Sequence, residues 1–105
     1  MATAEIIQTM VERLVRGFAP LQILLFGSHA RGTATDASDV DLLVVVARVE
    51  DRRALAVAMR RSLGDLPAGK DLLVATPEEL RRTAPDSPSV LGHALREGIL
   101  LHERA

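Results

Sequence analysis

Two stretches of this chain combine residue types that can do chemistry. The first is Phe26-Gly27-Ser28-His29-Ala30-Arg31-Gly32, directly after a short apolar run. The second is Ser38-Asp39-Val40-Asp41-Leu42, which opens the next apolar run. Alternate residues of a strand share a face, so Asp39 and Asp41 point the same way, with Cα atoms about 6.6 Å apart. Two carboxylates so close repel, and on a covered strand they are costly unless a cation lies between them. Hard divalent cations such as Mg²⁺ take oxygen ligands of this kind. Alone, Asp-x-Asp reads as a turn cap followed by an exposed strand end. In the first stretch, Gly27 lets a ligand approach the backbone closely. Ser28 can cap a helical turn whose free N–H groups face an anion, and Arg31 follows one turn later on the same side. Glycine, hydroxyl, free amides and guanidinium make a phosphate cradle. Alone, the same residues read as a surface turn with a capping serine.

The flanking elements decide whether the two stretches meet. Residues 4–18 carry Ile7, Met10, Val11, Leu14, Val15 and Phe18 at helical spacing, with Gly17 and Pro20 bracketing the end. Leu21 to Phe26 reads as a buried strand, and Gly27 to Ser38 as a loop that starts with one helical turn. Asp39 to Val46 is a strand whose unbroken apolar half suits cover on both faces. Asp51 to Leu63 is a helix with Leu55, Ala58, Met59 and Ser62 on one face, stopped by Gly64. Asp71 to Ala75 is a third strand. Thr76-Pro77-Glu78-Glu79 has cap, proline and acidic residue in the order that starts a helix. Ser87-Pro88 opens another helix through Glu97, Gly98 ends it, and Ile99 to Leu101 forms a last short strand. Val90, Leu91, Ala94 and Leu95 are expected in the core.

The order α-β-turn-β-α-β-α-α-β predicts an α/β (α+β) fold, a mixed β-sheet with helices packed against it, in one domain over 1–105. If the strands at 21–26 and 39–46 are antiparallel neighbours, Ser28 leaves the sheet at the edge where Asp39 enters. Strand 39–46, helix 51–63 and strand 71–75 form a βαβ unit, whose strands run parallel. Asp71 then starts at the same edge as Asp39 and Asp41. Three carboxylates beside a phosphate cradle suit two-metal phosphoryl or nucleotidyl transfer, with ions ~3.5–4 Å apart.

Composition narrows the setting. The chain has 105 residues, 48% hydrophobic and 26% charged, which is ordinary for a folded domain. With no cysteine, disulfides, thiolate chemistry and cysteine zinc sites are excluded. No apolar run approaches the ~18–20 residues of a membrane helix, and no signal peptide opens the chain, so a cytoplasmic protein is expected. The net charge of −1 and the lack of Trp and Tyr argue against a grip on long nucleic acid.

With these motifs in place, the chain resembles the minimal nucleotidyltransferases of the DNA polymerase beta-like superfamily. The resemblance rests on Gly27-Ser28-His29-Ala30-Arg31-Gly32 followed by Ser38-Asp39-Val40-Asp41-Leu42. Asp71-Leu72-Leu73-Val74 matches the third-carboxylate strand, and Arg96-Glu97-Gly98-Ile99-Leu100-Leu101-His102-Glu103 is similar to the family's close. The resemblance implies that Gly27 and Ser28 hold nucleotide phosphates, assisted by Arg31. It implies that Asp39 and Asp41 ligate Mg²⁺, with Asp71 the third carboxylate and an aid in deprotonating the attacking hydroxyl. Members of this size often lie beside a HEPN-domain protein and act as its antitoxin, and some transfer AMP from ATP to that partner. A HEPN-type toxin is therefore the expected partner, ATP or another nucleoside triphosphate the substrate, and Mg²⁺ the cofactor.

Two rival functions share the motifs. One is nucleotidyl transfer to a small hydroxylated molecule such as an aminoglycoside. The other is an antitoxin that neutralises its partner by binding alone. The sequence leaves open the base, the acceptor atom and the oligomeric state, a homo-oligomer included. Asp71 has an alternative in a surface ion pair with Lys70. Asp65 and Asp36 read as loop and turn residues. His29, His93 and His102 read as packing or solvent-facing. The arginines at 52, 53, 60 and 61 read as a solvated helix face or a partner surface.

Overall fold

The computed structural model describes residues 3–104. Helix α1 (Ala4–Phe18) starts at Thr3, whose hydroxyl accepts the Ile6 N–H at 3.2 Å and so satisfies a free donor of the first turn. Its inner stripe buries Met10 and Leu14 completely. The chain then runs through β1 (Gln22–Phe26), the four-residue α2 (Ser28–Arg31) and β2 (Val40–Val45). α3 (Arg52–Ser62) is capped by the Asp51 carboxylate on the Ala54 N–H at 3.0 Å. β3 (Lys70–Ala75), α4 (Pro77–Arg82), α5 (Val90–Glu97) and β4 (Ile99–Glu103) complete it. Thr76 and Glu79 form the expected capping box at the start of α4.

The four strands make one mixed sheet in the order β3-β2-β1-β4. β1 is antiparallel to both β2 and β4, and β2 is parallel to β3 across α3. α1 and α3 cover one face, where Met10, Leu14, Met59 and Leu63 meet Ile23, Val40, Leu42, Val44, Leu72 and Val74. On the other face Phe26, Leu43, Val45 and Ala75 pack with Ala94 of α5. β2 is thus covered on both sides, and Asp41 alone among its six residues is not buried. The β2 leucines, Leu42 and Leu43, each stabilise the sheet by about 1.5–3 kcal/mol through burial on opposite faces. Among the described residues no helix is long and apolar enough to cross a membrane.

Several boundaries differ from expectation. Asp39 lies just before β2, because the ladder begins where the Val40 N–H meets the Gly69 carbonyl at 2.9 Å. β1 starts at Gln22, one residue late, and β4 runs on to Glu103. Ser89, not Ser87, caps α5 by accepting the Gly92 N–H at 3.1 Å. Val90 is not in the core: it is 60% exposed on the outer side of α5. In α3, Ala56 joins Leu55 and Met59 on the packed side while Ala58 faces solvent. α1, by contrast, ends at Phe18 between Gly17 and Pro20 as expected, and Ala19 takes the left-handed position at φ 45°.

Candidate active site

The pairing pattern brings the two sequence stretches together. Asp41 is directly opposite Phe26 in the β1/β2 ladder and directly opposite Asp71 in the β2/β3 ladder. Neighbouring strands are about 4.8 Å apart, and paired residues share a face. Asp41 and Asp71 therefore stand side by side on the face that α5 covers, at the end of the sheet where β1 runs into Gly27. The expected antiparallel and parallel pairs are both present.

Gly27 makes room for Asp41. Its φ of 74° and ψ of −155° fall in a region that essentially only glycine occupies. A Cβ there would overlap Asp41 Oδ2 and lie 3.0 Å from Cγ. The close approach that glycine permits is thus used, in this structure, by the chain's own carboxylate. Gly69 does the same for Asp39, since a Cβ there would overlap Asp39 Oδ1. Gly69 lies in the loop before β3 and belongs to neither sequence motif. Nothing in the sequence shows which carboxylate packs against which glycine, because Asp39 and Gly69 meet only through the β2/β3 ladder.

The electrostatics follow from this crowding. Partial burial pushes the Asp41 carboxyl above its ordinary range, and the charges of Asp71 and Asp39 push it further. His29 and Arg31 act in the opposite direction. An anionic edge that resists its own ionisation is a site where a cation lowers the energy. By type, three carboxylates form a hard oxygen donor set of the kind Mg²⁺ takes. Among the described residues, no three carboxylates or histidines converge closely enough to hold an ion as they stand. Asp71 instead lies 3.6 Å from Nη2 of Arg60 on α3, with both side chains more than half exposed.

The arrangement corrects several expectations for individual residues. Ser28 is the first residue of α2 and caps nothing: Gly27 occupies the cap position and makes no side-chain bond there. The first N–H groups of α2 have no intrahelical acceptor. Lys70 does not pair with Asp71, because its Nζ donates to the Leu63 carbonyl at 2.9 Å and the Leu66 carbonyl at 3.3 Å. The partner of Asp71 is Arg60, one of the arginines read as a solvated helix face or a partner surface, and it remains exposed. Asp65 is bound by Arg13 of α1. Asp36 sits exposed in a turn. His29 Nε2 lies 3.5 Å from the Ser38 carbonyl, the residue before Asp39. Arg31 is held by Glu97.

A four-stranded mixed sheet with a turn and short helix after β1, and carboxylates at the adjacent ends of β2 and β3, defines a nucleotidyltransferase-type α/β domain. A family model described as "Nucleotidyltransferase domain" matches residues 5–101, and the chain belongs to that family. A Methanocaldococcus jannaschii protein, "Putative protein adenylyltransferase MJ1305", is 58% identical over 33 residues, 31% of this chain and 22% of that protein's length. Among solved structures, a toxin–antitoxin complex with AMP-PNP contains a chain that superposes with a TM-score of 0.59 at 27% identity, covering 92% of this chain and 73% of that one. The tri-AMPylated Shewanella oneidensis HEPN toxin in complex with MNT antitoxin gives a TM-score of 0.56 at 22% identity, covering 97% and 74%. The expectation of a minimal nucleotidyltransferase fold is borne out.

Proposed function

We propose that this chain transfers a nucleoside monophosphate, AMP from ATP in the first place, to a hydroxyl on a HEPN-type toxin and acts as its antitoxin. The observation that carries this reading is the register: Asp41 lies opposite Asp71 on one side and Phe26 on the other. Gly27, Ser28, Asp39, Asp41 and Asp71 thereby share one edge. The likeness to toxin–antitoxin chains, one complex of which holds a tri-AMPylated toxin, supports the partner and the transferred group. A cytoplasmic place and a single domain over the whole chain belong to the same reading.

In the reaction, the acceptor hydroxyl oxygen forms a bond to the α-phosphorus, and the bond from that phosphorus to pyrophosphate breaks. The hydroxyl proton passes to a carboxylate, for which Asp71 at the open β3 edge is suited. Ser28 and the first N–H groups of α2 hold phosphate oxygens, and Arg31 adds positive charge on the same side. Asp39, Asp41 and Asp71 would hold Mg²⁺, which when bound neutralises charge on the transferring group. Holding both reactants in place supplies much of the rate of such a transfer, so the protein alone should turn over little.

The test is mass spectrometry of a candidate HEPN-domain partner, mixed with ATP, Mg²⁺ and either wild type or Asp41→Asn. Wild type should add the mass of one or more AMP groups to the partner and release pyrophosphate, and Asp41→Asn should add none. If both neutralise the partner equally with no mass increase, the chain works by binding alone. An adduct formed on a small hydroxylated molecule instead of the protein would redirect the acceptor.

A further inference from the structure

Arg31 does not swing free in solvent. Its Nη1 lies 3.0 Å from Oε1 and 3.3 Å from Oε2 of Glu97, the last residue of α5. The pair ties the short helix after β1 to the junction between α5 and β4. That junction is packed tightly: a Cβ on Gly98 would overlap the Ala94 carbonyl and stand 3.0 Å from Leu24 Cδ2. Ala94 and Gly92 of α5 are themselves buried. Glu97 therefore projects from a well-fixed base, whereas α2 has only four residues to restrain Arg31.

The way the two groups meet is informative. A guanidinium carries five N–H donors in one plane. A fork-on-fork pair would engage two nitrogens. Here Glu97 engages Nη1 alone, and Nε and Nη2 have no partner among the described residues. The contact fixes the plane from one end and leaves its other donors open. The Arg31 backbone N–H donates to the Gly27 carbonyl at 3.1 Å, and Gly27 abuts the Asp41 carboxylate, so Arg31 stands one short turn from the carboxylate edge while Glu97 holds its guanidinium.

We propose that Glu97 is a positioning residue that holds the Arg31 guanidinium with its open donors toward the triphosphate of the bound nucleotide. This rests on the nucleotidyltransferase reading and adds to it a residue from the far end of the chain. Glu97 touches no reacting atom; it acts through Arg31. Without it, a long exposed side chain must be ordered afresh each time the triphosphate binds.

The experiment is calorimetric titration of the full chain in Mg²⁺ buffer with ATP, with sodium tripolyphosphate and with adenosine. Glu97→Ala should weaken tripolyphosphate and ATP by about three- to tenfold, as expected for removing one partner of a coupled pair, and leave adenosine unchanged. Glu97→Gln, which keeps an acceptor for Nη1, should retain most of the affinity. In an Arg31→Ala background, Glu97→Ala should have no further effect. The Arg31 Nε–Hε signal in NMR should lose its restricted character in Glu97→Ala. If Glu97→Ala does not fold, Arg31→Lys keeps the charge but loses the plane, and should weaken tripolyphosphate by a similar factor. Wild-type affinity in Glu97→Ala (or in Arg31→Lys where that variant stands in), or a loss that persists without Arg31, overturns the positioning role. Wild-type protein that binds neither ATP nor tripolyphosphate overturns the nucleotidyltransferase reading and this role with it.

Discussion

Replacing Gly27 by alanine probes how the carboxylate edge is built. At φ 74° and ψ −155° the backbone is in a region where a side chain costs about 1–3 kcal/mol. The new methyl would also overlap Asp41 Oδ2 and crowd its Cγ at 3.0 Å. Rotating the carboxylate away or shifting the α2 turn adds about 1–3 kcal/mol, the usual cost of overpacking. The sum, about 2–6 kcal/mol, is large against a total stability of about 5–15 kcal/mol. The two parts can be separated. With alanine at position 41, the nearest remaining atom of that side chain is Cβ at 3.3 Å, so the overlap disappears and the backbone share stays. Gly27→Ala should therefore cost about 1–3 kcal/mol less in an Asp41→Ala background than in wild type. Gly32→Ala is the control, because its φ of 77° is strained but no atom lies within 4 Å of the added methyl. Urea unfolding in EDTA, followed by far-UV circular dichroism because the chain has no Trp or Tyr, measures all five stabilities. Equal costs of Gly27→Ala in the two backgrounds would refute the claim that Gly27 is there to admit Asp41.

Two further outcomes follow from the same edge. Burial, with Asp71 and Asp39 nearby, raises the Asp41 carboxyl in the folded protein above its unfolded value. Below the unfolded value it is neutral in both states, and as pH rises through the folded value its ionisation destabilises the fold. Asp41→Asn should accordingly gain stability over wild type as pH rises out of the acid range; urea midpoints from acid to neutral pH that differ by a constant would contradict this. Gly69→Ala should displace Asp39 with no left-handed backbone to strain, and weaken Mn²⁺ binding by about tenfold, in the range seen when groups supporting a ligand are changed. A Mn²⁺ titration by EPR reads it, and unchanged affinity would remove Asp39 from the ligand set.

Much of this site was legible because it depends on parity and connection. Alternation placed Asp39 and Asp41 on one face. The helical crossover from Asp51 to Leu63 is long enough to make β2 and β3 parallel, which brings Asp71 to the edge where Asp41 starts. The apolar run after Asp41 announced a strand covered on both sides, and five of the six β2 residues are buried. The single exception is Asp41, one of the carboxylates for which chemistry is proposed.

What was not legible depends on pairs that only the folded chain creates. Periodicity gives each helix an inner side but not its rotation to within one residue, so Ala58 and Ala56 exchanged roles and Val90 turned outward. Lys70 and Asp71 are sequence neighbours, yet adjacent strand residues face opposite ways. Lys70 is therefore directed to the carbonyls that end α3, and Asp71 is left to Arg60. Gly69 beside Asp39 and Glu97 beside Arg31 have the same origin. In each case a loop or helix end carries a partner to a residue that the sequence could name but not pair. The motif residues carry the proposed chemistry. Their contacts come from the loop before β3 and from the end of α5, long after the motif has ended.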